Sequence, residues 1–119
     1  MHKPEISIVV PIHNEQEVIE SLYERLTKVM DSLARPYEVI LVNDGSTDNS
    51  ATLLNDLVKR RPKEFRIIHF NGNYGQHMAI MAGFENMRGE VAIMLDADMQ
   101  TPPEEIPKLM AAIDEGHDV

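Results

Sequence analysis

The chain contains no cysteine, which excludes disulfides, a thiolate nucleophile and any cysteine-based zinc site, and fits a reducing compartment. Long apolar runs are also absent. No stretch approaches the roughly 20 apolar residues needed to span a bilayer, and the opening Met1-His2-Lys3-Pro4-Glu5 lacks the apolar core of a signal peptide. The expectation is a soluble, cytoplasmic chain. Basic residues are scarce: 11 Lys and Arg stand against 20 Asp and Glu, a formal charge of -9. With no basic patch to displace counterions, a nucleic-acid backbone is excluded as partner. The imbalance is uneven, since from Glu85 onward nine acidic residues face only Arg88 and Lys108. A phosphorylated ligand bound in this half therefore needs a metal ion, or basic residues from elsewhere, to offset the charge. The five histidines show no pair at a metal-ligand spacing, which argues against zinc.

What is present alternates between two periodicities. Ile6 to Val10 is β-branched and apolar, a first strand that Pro11 is expected to end because proline has no N–H for a ladder. Asn14 with Glu17 has the spacing of a capping box, and Val18, Leu22, Leu26, Val29, Met30 and Leu33 form a helical stripe, predicting a helix from Glu15 to Leu33. Tyr37 to Val42 reads as a second strand that ends in the turn signal Asn43-Asp44-Gly45-Ser46. Thr47 or Asp48 can cap a second helix, with Leu53, Leu54, Leu57 and Val58 inward and Lys59, Arg60 and Arg61 near its negative end. Pro62 stops it. A third strand is expected over Arg66 to Phe70, followed by Asn71-Gly72-Asn73-Tyr74-Gly75. The segment Met78 to Phe84 is apolar around most of a helix, so the Met-rich stretch to Met87 is expected in the core, with Gly83 permitting close packing.

The fourth strand, Val91 to Leu95, is an uninterrupted apolar run of the kind buried on both faces. It stops in Asp96-Ala97-Asp98-Met99-Gln100. Two carboxylates one residue apart repel, which raises a pKa or demands a cation, and Gln100 adds a third oxygen suited to a hard divalent metal. Thr101-Pro102-Pro103-Glu104-Glu105 then opens a last helix that Gly116 ends, with Pro107 in its first turn or delaying it. His117-Asp118-Val119 looks like the start of another strand.

At 119 residues the chain is at most one domain. Its βαβαβαβα pattern implies an α/β fold with a parallel sheet and right-handed crossovers. A strand order of 3-2-1-4 sets the first and fourth strands side by side at the switch point, where open α/β sheets bind ligands. Three polar tips would then meet: Pro11 to Glu15, Asn43 to Ser46 and Asp96 to Gln100. A dinucleotide oxidoreductase is disfavoured because the first strand leads into Pro11-Ile12-His13-Asn14-Glu15 and not a Gly-rich loop. A phospho-accepting receiver-type domain would need a lysine at the end of a later strand, and none is there.

Val9-Val10-Pro11-Ile12-His13-Asn14-Glu15, Val42-Asn43-Asp44-Gly45-Ser46 and Asp96-Ala97-Asp98, in this order and approximate spacing, resemble the amino-terminal half of a family 2 glycosyltransferase of the GT-A fold. The resemblance covers essentially residues 1–119 as one nucleotide-sugar-binding unit of an incomplete domain. Within the family, Asn73 to Phe84 and Asp96 to Glu104 are similar to the polyprenyl-phosphate transferases of the dolichyl-phosphate mannosyltransferase and undecaprenyl-phosphate aminoarabinose types. The resemblance implies a parallel sheet with helices on both faces, and transfer of a sugar from a UDP- or GDP-type donor to a lipid phosphate or other acceptor. It implies that Pro11, His13 and Glu15 line the nucleotide pocket, that Val42 and Asp44 contact base or ribose, and that Asp96 and Ala97 lie beside ribose and diphosphate. Asp96, Asp98 and Gln100 would hold Mg2+ or Mn2+. His13 departs from the mannosyltransferases, which often have tyrosine there. The general base is expected beyond residue 119, and the longer protein is expected at the cytoplasmic face of the membrane. The competing reading is a non-catalytic nucleotide-binding or interaction module on the same scaffold. Self-association is expected in either case, through the edge and face that further strands would cover.

Overall fold

Ile6–Ile12 and Tyr37–Asn43 are buried at every position, as two β-rich stretches must be when helices cover both sides of their sheet. The computed structural model describes residues 3–116. Its elements are β1 (Ile6–Ile12), α1 (Ile19–Leu33), β2 (Tyr37–Asn43), α2 (Ser50–Arg60), β3 (Phe65–His69), α3 (Gln76–Asn86), β4 (Val91–Met94) and α4 (Ile106–Asp114), the last preceded by a 3-10 turn at Pro103–Glu105. The strands are parallel in the order β3-β2-β1-β4, the order expected from the sequence.

Alternate residues of the two central strands point to opposite layers. Ile6, Ile8, Val10 and Ile12 of β1 and Val39 and Leu41 of β2 join Leu22 and Leu26 of α1, Leu54 and Leu57 of α2, and Ile106 and Met110 of α4 in the main core. Ile40 and Val42 face the other way, against Ala79 of α3. That second layer is thin because α3 lies close to the sheet. A Cβ on Gly83 would sit 2.3 Å from Val9 Cγ1, so glycine permits the approach, as the sequence predicted. Pro107 falls in the first turn of α4, where a missing N–H costs no helical bond.

Several local expectations are corrected. β1 does not stop at Pro11 but runs to Ile12, with Pro11 in register with Val42. Pro11 acts on the other side. Val9 is the last β1 residue paired with β4, and its carbonyl accepts Leu95 N–H. The next rung of a parallel ladder would run from residue 11 to the Leu95 carbonyl, and proline has no N–H to make it. β1 and β4 therefore part just above Pro11. Asn14 does not cap α1, which begins only at Ile19 and has no side-chain cap. Its Oδ1 instead accepts Thr47 N–H at 2.8 Å and Asp48 N–H at 3.3 Å.

β4 is buried on one face alone: Ile93 is covered while Ala92 and Met94 are open. Only Ala79 and Gly83 of α3 are buried, and Met78 (53% exposed), Met81 (43%), Phe84 (39%) and Met94 (41%) make an uncovered apolar surface. The expected core assignment of the Met-rich stretch holds for Ala79, with Ala82 and Met87 packed against it, and fails for Met78, Met81 and Phe84, because nothing among the described residues packs on the outer side of α3. The strand expected at His117-Asp118-Val119 lies outside the described residues.

Candidate functional site

The loops that leave the carboxyl ends of the strands are fastened to one another by side chains that sequence patterns assign to turns and caps. Besides the Asn14 contacts, Ser46 Oγ accepts Asn14 N–H, Ser50 Oγ accepts Glu15 N–H, and Gln16 Oε1 accepts Asn49 N–H, each at 3.0 Å. Asp48 Oδ1 accepts Ser50 N–H at 2.9 Å, an Asx-type turn leading into α2. Asn14 adopts a left-handed conformation (φ 53°) to reach across, which asparagine tolerates better than most residues.

These loops frame a cleft of about 460 Å³ at the switch point, where β1 and β4 part. Pro11, Ile12, His13 and Glu15 line it from the first tip, Asp44 from the second, and Asp96, Ala97, Asp98 and Gln100 from the fourth. Of the sequence-predicted site residues, Val42 alone is not brought to this cleft. It is fully buried with Ile40 and Ala79 beneath α3.

Asn73, Gly75 and Gln76 complete the lining, and the sequence reading did not include them. β3 is an edge strand two places from the switch point, so its tip was not expected at the cleft. The chain after β3 nevertheless folds back across β2. Gly45 (φ 65°) makes this possible: a Cβ there would lie 2.4 Å from the Gly72 carbonyl carbon. Asn71-Gly72-Asn73-Tyr74-Gly75 is as dense in turn residues as the second tip, and that density was the available signal.

Asp44 anchors the returning loop. It is buried, and its carboxylate accepts Tyr74 N–H at 2.7 Å through Oδ1 and Gly75 N–H at 2.9 Å through Oδ2. His13 Nδ1 lies 2.7 Å from the Asp44 carbonyl oxygen, which can only accept, so Nδ1 carries the proton. Nε2 is then free to accept from Asn73 Nδ2 at 3.3 Å. Histidine thus ties the first three tips together. Gln76, the first residue of α3, donates from Nε2 to Asp96 Oδ1 at 3.0 Å and brings in the fourth.

The cleft is acidic. Burial raises the pKa of Glu15, and the Asp98 carboxylate raises it further; His13 opposes this, while Asp48 and Asp96 add to it. Like charges facing a shared space are the condition under which a cation binds well. Among the described residues, no three His, Asp or Glu side chains are assembled as a ready metal site. Asp96, Asp98 and Gln100 nonetheless supply oxygen donors of the hardness Mg2+ and Mn2+ prefer, on a loop at a strand end, so the donor set fits such an ion.

A family model described as "Glycosyl transferase family 2" matches residues 7–119. The undecaprenyl-phosphate 4-deoxy-4-formamido-L-arabinose transferase of Edwardsiella ictaluri is 46% identical over 114 residues, covering 96% of this chain and 35% of that protein. Among solved structures, the mannosyltransferase PcManGT from Pyrobaculum calidifontis in complex with GDP-Man and Mn2+ matches with TM-score 0.77 at 21% identity, over 99% of this chain and 34% of that one. S. aureus TarS 1-349 in complex with UDP matches with TM-score 0.65 at 25% identity, over 93% of this chain and 32% of that one. The chain spans about a third of the length of the curated relative it matches.

Proposed function

Because the chain belongs to glycosyl transferase family 2 and has the GT-A fold, we propose that it is the donor-binding part of a metal-dependent transferase. That enzyme moves a sugar from a nucleoside diphosphate to a polyprenyl phosphate. The observation that carries this reading is the cleft at the switch point, lined together by Pro11, His13, Glu15, Asp44, Asp96, Ala97, Asp98 and Gln100. The acceptor class follows the printed name of the Edwardsiella relative, and the uridine or guanosine donor follows the ligands of TarS and PcManGT.

In this reading Asp44 and His13 receive the nucleoside end, and the ribose and diphosphate extend toward Asp96 and Ala97. Val42 supports that end from beneath the sheet surface and does not touch the ligand. Asp96, Asp98 and Gln100 would hold Mg2+ or Mn2+, which when bound supplies Lewis-acid stabilisation of the charge that grows on the departing diphosphate. The acidic tip offers a diphosphate no positive charge of its own, which supports metal dependence. The general base and the acceptor site belong, in this reading, to the part of such an enzyme that this chain does not span. The working place of the whole protein is then the cytoplasmic face of a membrane.

Calorimetric titration of UDP and GDP, each with and without Mn2+, tests this. One of the two should bind, with affinity that depends on the metal. A folded sample that binds neither nucleotide under any of the four conditions overturns the proposal.

A further inference from the structure

Asp96 stands on a loop that has left the sheet, since the β1–β4 ladder ends at Val9 and Met94 and Pro11 offers no further rung. A carboxylate on such a loop has no backbone-fixed orientation of its own. Among the described residues the one side chain that donates to it is Gln76, whose Nε2 lies 3.0 Å from Asp96 Oδ1. Gln76 in turn sits on a rigid support. It opens α3, whose place on the sheet is fixed by Ala79, fully buried, and by the close packing of Gly83 on Val9. The N–H of the preceding residue, Gly75, is held by Asp44.

We propose that Gln76 is a positioning residue of the donor site: its amide fixes Asp96 Oδ1 and presents Oδ2 to the divalent cation. The inference rests on the metal-dependent donor reading given above. The chemistry explains the residue type. An amide donates without adding charge, so it orients the carboxylate and leaves its negative charge for the ion, whereas lysine or arginine here would neutralise it. Occupying one oxygen favours single-oxygen coordination, which suits an ion that takes only one or two carboxylates and completes its shell with phosphate and water. Hydrogen-bond partners of metal-ligating carboxylates typically change metal affinity by about 10–100-fold when removed.

The test compares the 119-residue chain with its Gln76→Met variant, which keeps side-chain length and helix propensity and loses the donor. Free Mn2+ is followed by electron paramagnetic resonance during titration in the presence of UDP and, separately, GDP. Thermal midpoints are measured beside it. The expected result is a 10–100-fold weaker Mn2+ affinity in the variant, with the midpoint unchanged. A general loosening of the fold would lower the midpoint as well, and that outcome counts against a positioning role. Equal Mn2+ affinity in the two proteins overturns the assignment of Gln76 and leaves the donor-site reading standing. Absence of Mn2+ binding to the parent chain with either nucleotide overturns both.

Discussion

Glu38 is the residue on which the end of the sheet opposite the cleft depends. It is completely buried on the α3 side, where Ser7 Oγ and Arg88 N–H each donate to it at 2.6 Å and Arg66 donates from Nη2 at 2.8 Å. Burial alone would raise its pKa; the hydrogen bonds from Ser7, the Arg88 backbone and Arg66 outweigh that and hold it below the ordinary carboxylate value of 4.5. A depressed folded pKa contributes stability that is present above about pH 4.5 and is lost as pH falls through the folded value. Glu38→Ala leaves the Ser7 hydroxyl and the Arg88 N–H without their acceptor. Charged hydrogen bonds of this kind contribute about 1.5–3 kcal/mol, so urea unfolding at pH 7 should show a loss of that order. The gap between parent and variant should narrow as the pH is lowered below 4. A constant gap across that range would contradict a charged Glu38. In the sequence this residue reads as one more polar position in a strand, because its partners come from β1, β3 and the α3–β4 turn and none is near it in the chain.

Among the elements, α3 shows most clearly how local preference and packing compete. Alanine at position 83 gains roughly 1 kcal/mol of helix propensity over glycine. Against that, its Cβ would lie 2.3 Å from Val9 Cγ1, and overpacking of this kind typically costs 1–3 kcal/mol. Packing therefore wins, and Gly83→Ala should lower the thermal midpoint; a rise would show that α3 can lift away freely. The sequence disclosed the alternation of strands and helices, the role of Gly83 and three of the four tips, because each rests on periodicity or turn chemistry within a few residues; the strand order and the helices on both faces were expectations of the α/β pattern and the family resemblance. It missed the later start of α1, since Asn14 bonds to Thr47 and Asp48 and not to its own helix. It missed the third tip for the same reason: the turn composition was visible, but the Gly45–Gly72 contact that brings the loop back over β2 joins distant positions. Apolar composition likewise revealed that α3 faces something, without saying that its outer side stays uncovered among the described residues.

For the molecule as a whole, two surfaces follow from the order β3-β2-β1-β4. One is the cleft, which uses all four strand ends. The other is the apolar side formed by Met78, Met81, Phe84 and Met94 beside β4, whose outer edge pairs with no strand among the described residues. An unpaired edge next to exposed apolar side chains promotes association. Light scattering should show the isolated chain self-associating as concentration rises, and Met94→Lys together with Met81→Lys should suppress it. A clean monomer at high concentration contradicts that role for the surface. Anomalous diffraction at the manganese edge, from crystals grown with Mn2+ and the nucleotide that binds, tests the cleft as the donor site. The expected result is one manganese peak in the cleft beside Asp96, Asp98 and Gln100, the residues that would hold the ion, with the base near Asp44 and His13. Nucleotide bound elsewhere, or seated in the cleft with manganese away from Asp96 to Gln100, would contradict it.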